Sequence, residues 1–500
     1  MRVDRVMGYP TDKVVIVGAG LAGLSAALYL AGAGREVTVC EKHSEPGGKA
    51  AAMHTEGYQL DYGPTVLTMP ELIEDAFAAV GEKSGDHLEL LAVEPAYRAH
   101  FPDGGHLDLS ADRDRTVAEI TAKCGAAEAD SFLRYRDHIE RIYRYAYPRF
   151  VDRNLDGIGS LPPWPLLRLA MLGAFGGLQA GVNRYFEDPR LRRLFSFQAM
   201  YVGVAPQKAR AMYAMVTYMD TVGGVWLPRG GMHALPRAMA AAAEAHGVRF
   251  RYGDPVVRLE TTGAGRFRAA ITAAGERVAG DAAVLTADPS VALPELLGRE
   301  PATLGRRLEY APSCLLLLLG AGGTPGAHHN IHFGRNWKTS FTELTRGDPM
   351  SDASFLVSAP TVSDPGLAPP GRHCYYALLP VPNLAVGTVD WKRDGDAFRD
   401  RLCRLMRERG YADALDDHDA LRVVTPLDWR ADGCPAGTPF SAAHLFRQTG
   451  PFRTKSLIGG NMVLAGAGTH PGVGVPMALI SGRLAAERIT GPLRRTGRTR

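Results

Sequence analysis

The chain has 500 residues, of which 46% are hydrophobic and 22% are charged, and its formal net charge at neutral pH is +4. This length predicts roughly two or three cores, and this composition excludes wholesale disorder. The positive side chains are scattered instead of forming a stripe, so we expect no nucleic acid partner.

The N-terminal residues lack the apolar core of a secretory signal, and no window reaches the roughly 18 uninterrupted apolar residues of a spanning helix. The cysteines form no CxxC pair, which argues against a disulfide scaffold and a zinc site and fits a reducing cytoplasm. They are Cys40, Cys124, Cys314, Cys374, Cys403 and Cys434. The basic tail fits either a solvated end or attraction to anionic lipid, and its arginines are Arg494, Arg495, Arg498 and Arg500.

The first predicted elements form a compact βαβ unit. A short apolar strand starts at Lys13, a turn of small residues follows, and a helix is predicted from Leu21 to Ala33. A second strand is predicted from Glu36 to Glu41.

The turn of this unit carries a GxGxxG pattern directly between strand and helix, at Gly18, Gly20 and Gly23. In that context the glycines let a pyrophosphate approach the backbone and the N-terminus of the helix. Glu41 ends the second strand, where a carboxylate can accept hydrogen bonds from the hydroxyls of an adenosine ribose. An acidic residue there argues against a ribose 2′-phosphate.

Helices rich in charged and aromatic residues are predicted from Arg115 to Tyr145. Residues 161–185 form the most hydrophobic helical candidate of the chain, with a proline-rich entry and few charges. We expect either an interior helix, or a face that contacts a membrane or walls a substrate tunnel.

The rest of the chain alternates between predicted strands and helices. In order, we expect a helical stretch 207–220, a strand, glycine turn, helix and further strands over 223–260, a buried strand 314–319, a helix 397–409, a strand and glycine turn 462–468, and a closing helix 473–489.

Two further glycine turns favour FAD over NAD as the dinucleotide. Gly47, Gly48 and Lys49 follow the second strand closely, as expected for a turn near the flavin end of the cofactor. The turn over residues 466–476 precedes the closing helix, and its amides could meet the flavin ring or the ribityl chain.

At this point the chain resembles the bacterial carotenoid desaturases of the phytoene desaturase family, nearly end to end. The segments that carry the resemblance are 61–72, 185–206, 224–238, 359–371, 379–384 and 466–476. It implies an α/β fold, with a Rossmann-type FAD-binding domain like that of glutathione reductase and amine oxidases. This domain would be interleaved with an α+β substrate domain that has a mixed sheet and an apolar helical face.

The implied domain division follows the chain in five parts. FAD-binding parts are expected over 1–110 and 221–300, and a third, with the basic tail, over 456–500. A helical part for substrate or membrane contact is expected over 111–220, and the sheet and helices of the substrate domain over 301–455.

The resemblance also implies roles for individual residues. The dinucleotide would be held by Gly18, Ala19, Gly20, Leu21, Ala22, Gly23, Glu41, Lys42, Gly48 and Lys49. The isoalloxazine would lie near Gly63, Pro64 and Thr65, and the backbone of Val257 would contact the adenine. The flavin would be covered by Gly466, Gly468, Thr469, Gly474, Val475 and Met477.

Two segments depart from the family pattern. Where relatives usually have Asn-Ala-Asp, this chain has Thr286, Ala287 and Asp288. Variation at Thr438 and Pro439 bears on the length of the substrate.

The implied reaction is desaturation of a phytoene-type polyene, in which a hydride passes to FAD and a proton to a base or water. It needs an apolar tunnel with few polar groups, which agrees with the lack of a Ser-His-Asp set or a metal-ligand spacing. The leading proton acceptor is His470, because its glycine turn should face the flavin. The other candidates are Gln198, Asp220, His233 and Asp364.

An apolar polyene dissolves in membranes, so we expect a cytoplasmic protein in peripheral contact with the cell membrane, with segment 161–185 as the contact. Oxygen or a quinone would accept the electrons, and the sequence leaves the oligomeric state open. The alternatives are a desaturase of a hydroxylated, shorter or conjugated chain, an isomerase that uses reduced flavin, an amine oxidase, and a non-catalytic polyprenoid-binding protein.

Overall fold

The computed structural model describes residues 11–161, 163–299 and 308–493, so the basic tail lies outside the described residues. The strands are β1 (Lys13–Val17), β2 (Glu36–Cys40), β3 (Ala52–Thr55), β4 (Tyr58–Asp61), β5 (Leu90–Ala92), β6 (Tyr97–His100), β7 (His106–Leu109), β8 (Trp226–Pro228), β9 (Arg249–Arg251), β10 (Val256–Thr261), β11 (Phe267–Thr272), β12 (Arg277–Ala279), β13 (Ala282–Leu285), β14 (Ser313–Ala321), β15 (His329–His332), β16 (Phe355–Ser358), β17 (His373–Val381), β18 (His418–Val424) and β19 (Met462–Leu464).

The α-helices are α1 (Leu21–Gly32), α2 (Glu71–Ala78), α3 (Arg113–Cys124), α4 (Ala126–Ala146), α5 (Pro163–Met171), α6 (Leu178–Asn183), α7 (Pro189–Leu194), α8 (Ala214–Thr221), α9 (Ala234–Ala245), α10 (Pro289–Leu297), α11 (Trp337–Arg346), α12 (Trp391–Glu408), α13 (Ala412–Asp416), α14 (Pro426–Ala431) and α15 (Val475–Thr490).

A five-stranded parallel sheet brings together parts of the chain that are far apart in sequence. Its strand order is β19-β13-β1-β2-β9, and every neighbouring pair is parallel. The central strands β13 and β1 are short apolar runs, as expected for a parallel sheet that is covered on both faces. One face packs on α1, and the other packs on the three-stranded antiparallel sheet β10-β11-β12. Because parallel strands end at the same edge, the turns after β1, β13 and β19 lie side by side.

A seven-stranded mixed sheet forms the second layer. Its order is β18-β14-β17-β16-β15-β6-β7, with only the β15–β6 pair parallel in the described residues. The predicted strand 314–319 is confirmed as the central part of β14, which is buried along its whole length. Its side chains alternate between two cores, with Leu316 and Leu318 in the larger core and Leu315 and Leu317 packed towards α12.

The prediction of one apolar helix over 161–185 is wrong. The segment forms α5 and α6, separated by a turn at residues 172–177. Gly173 adopts a positive φ of 74°, and the amide of Ala174 donates to the carbonyl of Leu169 across the end of α5. Gly173, Gly176 and Gly177 give this stretch the backbone freedom that stops the helix, despite its apolar composition.

In the ranges that the structure covers, no helix combines the length and the apolar character needed to cross a lipid bilayer.

Candidate active site

One large cavity, with a volume of about 1350 Å³, begins at the edge of the parallel sheet and continues between the helices and the mixed sheet. Most of the sequence-predicted site residues line it: Gly18, Gly20, Leu21, Ala22, Glu41, Lys42, Gly48, Lys49, Gly63, Pro64, Thr65, Val257, Gly466, Gly468, His470, Gly474, Val475 and Met477. The fold therefore gathers residues from both ends of the chain around a single space.

The N-terminus of α1 opens into this cavity. Gly20 is its N-cap, no side chain caps it, and its first turn carries no acidic residue. A helix N-terminus of this kind offers free N–H groups and a positive partial charge to an anion. This end of α1 fits the pyrophosphate of a dinucleotide.

Ala19, Gly23 and Thr469 do not line the cavity, although the sequence predicts them as cofactor-binding residues. A Cβ atom on Gly23 would lie 2.1 Å from the carbonyl oxygen of Gly18, so Gly23 allows the close packing of α1 on the turn. The hydroxyl of Thr469 donates to the carbonyl of Gly466 at 3.0 Å and fixes the C-terminal turn. Gly23 and Thr469 thus shape the site from behind its surface.

Glu41 is buried just after β2 and is held by two backbone amides. The amide of Ala19 donates to Oε2 at 2.6 Å, and the amide of His43 donates to Oε1 at 2.9 Å. Each carboxylate oxygen keeps a lone pair for another donor, such as a ribose hydroxyl. The contact with Ala19 explains how that residue supports the site without lining the cavity.

Lys42 and Lys49 tie a distant segment across the site. Their Nζ atoms donate to the carbonyls of Asp432 at 3.1 Å and Pro439 at 2.6 Å. The segment 432–440 contributes several residues to the wall of the cavity, including Cys434. Both lysines therefore hold this wall against the turns that follow β2.

Val257 lines the same end of the cavity as Glu41. The register of β10 against β11 shifts between Val256 and Arg258, so Val257 bulges out of the ladder. A bulged residue has backbone groups that do not have to pair with the neighbouring strand. This geometry suits a backbone contact with an adenine ring.

The C-terminal glycine turn joins β19 to α15. The amide of Gly466 donates to the hydroxyl of Ser481 at 2.9 Å, which draws the turn towards the helix. Gly474 is the N-cap of α15, and this helix end also lacks a side-chain cap and acidic residues in its first turn. A second uncapped helix N-terminus thus faces the cavity.

The two segments that depart from the family pattern are built into the protein framework. Thr286 donates through its hydroxyl to the carbonyl of Val17 at 2.8 Å, linking β13 to β1. Asp288 caps α10 by accepting from the amide of Ser290 at 3.1 Å. Thr438 donates to the carbonyl of Pro312 at 2.9 Å. Threonine at 286 therefore gives a strand-to-strand contact with its side chain.

His470 lines the cavity, and its Nε2 lies 3.2 Å from the carbonyl of Val151. Burial, together with the nearby Arg453 guanidinium, lowers the pKa of His470 to about 4. The imidazole is therefore neutral at physiological pH, and Nε2–H donates to Val151. Its Nδ1 has no hydrogen-bond partner among the described residues.

The other predicted proton acceptors separate into two groups. Asp220 lines the cavity, and Gln198 is buried beside it. His233 lies 2.8 Å from the carbonyl of Pro46 through Nε2, and Asp364 accepts from the amide of Gly230 at 2.7 Å. His233 and Asp364 do not line the cavity. Their hydrogen bonds instead stabilise the glycine turns that they contact.

Comparisons with known proteins agree on the family to which this chain belongs. Residues 21–490 match the family described as flavin containing amine oxidoreductase. The chain is 52% identical to a phytoene dehydrogenase of Streptomyces griseus, over 97% of this chain and 96% of that protein. It is 37% identical to a zeta-carotene-forming phytoene desaturase of Myxococcus xanthus, over 95% of this chain and 93% of the relative.

The chain belongs to the phytoene desaturases, within the flavin containing amine oxidoreductase family.

The fold is also similar to that of solved structures with much lower sequence identity. An oxidoreductase from Methanosarcina mazei superposes with a TM-score of 0.61 at 15% identity, covering 94% of this chain and 98% of that one. The predicted fold class is confirmed. The protein is a flavin-dependent oxidoreductase.

Sequence reasoning missed several residues that matter to this phytoene desaturase site. Arg453 is fully buried, and its Nη2 donates to the carbonyl of Ala467 at 2.5 Å in the C-terminal glycine turn. Burial lowers the pKa of Arg453 to about 10, so it keeps its charge at neutral pH. A single arginine in a loop gives no local signal, because its burial depends on contacts between distant segments.

The aromatic wall of the cavity was also missed. Phe333, Trp337 and Phe341 line it, and the ring centroids of Trp337 and Phe341 are 4.6 Å apart. The spacing of Trp337 and Phe341 on α11 indicates one helix face, which is the signal that could have found them.

Proposed function

We propose that this protein uses FAD to desaturate a phytoene-type polyene in carotenoid biosynthesis, by transfer of a hydride from the substrate to the flavin. One observation carries this proposal: the glycine turns and a long apolar channel belong to the same cavity. Its volume of about 1350 Å³ exceeds the roughly 300–1000 Å³ of an ordinary small-molecule pocket. There is room for a dinucleotide and for a hydrocarbon chain beside it.

FAD fits the residues around the first glycine turn. The uncapped end of α1 would hold the pyrophosphate, Glu41 the ribose, and the backbone of Val257 the adenine. Gly63, Pro64 and Thr65 would lie beside the flavin ring, and the residues from Gly466 to Met477 would cover it. When bound, FAD supplies a two-electron acceptor for the hydride.

The side chains of the channel walls would position the substrate. Aromatic and aliphatic side chains such as Phe197, Met219, Phe333 and Trp337 can hold a polyene and exclude water from the reacting carbons. Exclusion of water protects a positive charge on the substrate carbons from addition of solvent. Pro439 lines the cavity, which supports a role of the segment around Thr438 and Pro439 in setting the chain length that is accepted.

We also propose that α5 brings the channel into contact with a membrane. Leu166 and Leu169 line the cavity, whereas Trp164, Leu167 and Met171 on the same helix are exposed to solvent. An exposed apolar helix face of this kind is favourable at a lipid surface. The substrate would then enter from the bilayer without crossing water.

Three further features belong to the same proposal. Oxygen or a quinone would take the electrons from the flavin. The five-part division of the chain into FAD-binding and substrate parts also stays a prediction, and an oligomer is compatible with the proposal.

The proposed reaction can be tested with the purified protein in liposomes that contain phytoene, with FAD and either oxygen or a quinone. The expected result is a product whose absorbance has moved to longer wavelength, because each new double bond extends the conjugation. The same liposomes with apo-protein are the control. A protein that binds FAD and changes only the geometry of the polyene would be an isomerase, and one that leaves the polyene unchanged would be a binding protein.

A further inference from the structure

We propose that Asp220 is the catalytic residue that accepts the proton lost by the substrate, through its Oδ1 atom. This inference rests on the proposed desaturation and adds to it the second half of the reaction. Asp220 was one of five candidates in the sequence, and the geometry separates it from the others.

Asp220 lies on the apolar side of the cavity, away from the dinucleotide end. It belongs to α8, whose residues Met215, Val216 and Met219 line the same wall. A side chain on this wall faces the space where a hydrocarbon chain would lie.

A series of contacts also connects Asp220 to the segment expected beside the flavin ring. The hydroxyl of Tyr97 donates to Oδ2 of Asp220 at 3.2 Å, and the ring of Tyr97 lies 5.6 Å from the ring of His329. Nε2 of His329 is 3.1 Å from the carbonyl of Thr65. Asp220 is therefore two side chains away from Thr65, which is expected beside the flavin ring.

The surroundings of Asp220 leave one oxygen free. Oδ2 accepts from Tyr97, whose own hydroxyl lies 3.4 Å from that of Tyr201, whereas Oδ1 has no partner among the described residues. The groups that face this carboxyl are Tyr97 on β6, Tyr201, Tyr135 on α4, the Gln198 amide and the backbone amides of Asp220 and Thr221. Within the described residues, no lysine, arginine or histidine forms an ion pair with it.

Burial in this setting raises the pKa of Asp220 well above its usual range, because it disfavours the charged carboxylate. Its place near the C-terminus of α8 works in the same direction, because the partial charge there is negative. A carboxylate whose charge is destabilised by burial is a stronger base than a carboxylate in water. Its protonation therefore lowers the free energy by more than protonation of an exposed carboxylate does.

The balance of charge favours Asp220 over His470. A proton on Asp220 neutralises the carboxylate, so the cavity ends the step without a buried charge. A proton on His470 would create a buried cation close to Arg453, and burial and Arg453 both lower the pKa of His470 to about 4. The opposite directions of these two pKa shifts have the same cause, which is a cavity that disfavours charge.

Other carboxylates on the cavity wall are less suited. Glu41 is held by two backbone amides, and Asp288 caps α10. Glu295 and Asp432 are exposed to water. Asp220 combines burial, an apolar wall and a free oxygen.

The step balances as follows. A hydride has left one carbon of the substrate, so the substrate carries a delocalised positive charge. The C–H bond on the adjacent carbon breaks, its electron pair forms the new C=C bond, and its proton moves to Oδ1 of Asp220. The carboxylate becomes a neutral carboxylic acid, which still accepts the hydrogen bond from Tyr97.

The test uses the full-length protein with bound FAD in liposomes that contain phytoene, under anaerobic conditions. The rate of flavin reduction is measured from the loss of flavin absorbance between pH 6 and pH 9. Because the ionised carboxylate is the active form, the rate of the wild-type protein should rise with pH. Asp220→Asn should lower the rate about 100-fold or more and remove this rise, because an unquenched cation returns the hydride.

Two measurements separate this effect from misfolding. The FAD content and the thermal midpoint of Asp220→Asn are compared with those of Asp137→Asn, which makes the same change at an exposed position on α4. If Asp220→Asn does not retain FAD, Tyr97→Phe takes its place. Loss of the Tyr97 hydrogen bond should raise the pKa of Asp220 further and move the rise in rate to higher pH.

The proposal is overturned if Asp220→Asn reduces flavin at the wild-type rate with the same pH profile, or if the Tyr97→Phe profile does not move. It is also overturned if His470→Gln loses the pH dependence while Asp220→Asn keeps it. A wild-type protein that holds FAD but reduces none of it with phytoene would instead refute the desaturation itself, and the role of Asp220 with it.

Discussion

Glu41 links the first strand-helix turn to the end of β2 through two hydrogen bonds from backbone amides. Glu41→Gln would leave one carboxamide oxygen for the amides of Ala19 and His43, and would remove the charge that strengthens both bonds. We expect the dissociation constant for FAD to rise at least about tenfold, which corresponds to a loss of about 1.4 kcal/mol.

Titration of the apo-protein with FAD, followed by flavin fluorescence, gives this constant. Glu408→Gln is the matched control, because Glu408 is exposed on α12 and the change in chemistry is the same. Equal FAD affinity in Glu41→Gln and the wild type would show that Glu41 does not contribute to binding.

Residues of the dinucleotide end were the easiest to predict, because their spacing follows from one local strand-turn-helix unit. Glu41 and the glycines of the first turn needed only the sequence from Lys13 to Glu41. Arg453 and Tyr97 were not found, because each lies against segments that are distant in sequence: Arg453 near Tyr213 and Asp288, and Tyr97 against Asp220. The same reason explains why His233 was a candidate in the sequence and lies outside the cavity in the structure.

At the scale of elements, α5 is unusual in having one face in the cavity and another in solvent. Trp164 and Met171 are 77% and 76% exposed. Trp164→Ser combined with Met171→Ser should weaken binding to liposomes at least about tenfold, because each large apolar side chain contributes about 1.5–3 kcal/mol when fully buried.

Flotation of the protein with liposomes measures this change, and the FAD content should stay the same. Val386→Ser combined with Leu421→Ser removes two exposed apolar side chains from other parts of the surface and should leave flotation unchanged. If both double variants float like the wild type, α5 is not the membrane contact.

The helix α15 is joined to residues 152–156 by buried ion pairs. Arg483 pairs with Asp152, and Arg488 pairs with Asp156. Asp152→Ala should lower the free energy of unfolding by about 3 kcal/mol, at the lower end for a broken buried pair, because Glu487 still contacts Arg483.

Urea unfolding of the FAD-bound protein gives this value. The control is Asp400→Ala, which breaks an exposed pair with Arg399 and should cost less than about 1 kcal/mol. Equal losses in the two variants would mean that burial of the Asp152 pair adds nothing to stability.

The glycine break in the apolar segment 161–185 shows where pattern reasoning fails at this scale. Hydrophobicity predicted a helix, and the composition of the segment was compatible with one. The positive φ of Gly173 and the contacts of Gly177 with Arg210 decide the chain path instead. These contacts are tertiary, so no local window contains them.

At the scale of the whole molecule, several buried histidines should make the fold sensitive to acid. Five of these histidines are His328, His329, His332, His444 and His470. Burial lowers the pKa of all five, to about 4 for His329 and His470. Their contribution to stability is complete above pH 6.5 and is lost as the pH falls towards 4, because the unfolded chain binds these protons and the folded chain does not. Each contributes roughly 1.4 kcal/mol per pH unit in that window.

Asp61 acts in the opposite sense. Burial raises its pKa to about 6, so its contribution is present at low pH and is lost as the pH rises from about 4 to 6. Asp220, whose pKa burial also raises well above its usual range, acts in the same sense as Asp61. Two such carboxyls offset about two of the five histidines, so the net free energy of unfolding should still fall below pH 6.5.

Thermal midpoints of the FAD-bound protein at pH 7.5, 6.5 and 5.5 and constant ionic strength test this expectation. His332→Gln should weaken the dependence by about one proton, since glutamine does not titrate. A midpoint that is the same at pH 7.5 and pH 5.5 would contradict it.

The overall fold class was predictable because the βαβ unit and the family segments extend over most of the chain. The order of the seven-stranded sheet was not, because it pairs β6 with β15, far away in sequence, and leaves β7 at the edge beside β6. Local patterns identify individual strands. Which strands pair with each other depends on tertiary packing, which no local pattern contains.

The wall formed by segment 432–440 comes from a part of the chain 390 residues after the two lysines that hold it. Because synthesis runs from the N-terminus, Lys42 and Lys49 are made long before Asp432 and Pro439. The hydrogen bonds from the two lysines to these carbonyls can form only after segment 432–440 has been made. Closure of this side of the site around a cofactor would therefore come late in folding, once segment 432–440 has been made. If FAD lies between this segment and the turns after β2, its release should be slow, because the two lysine contacts must break first.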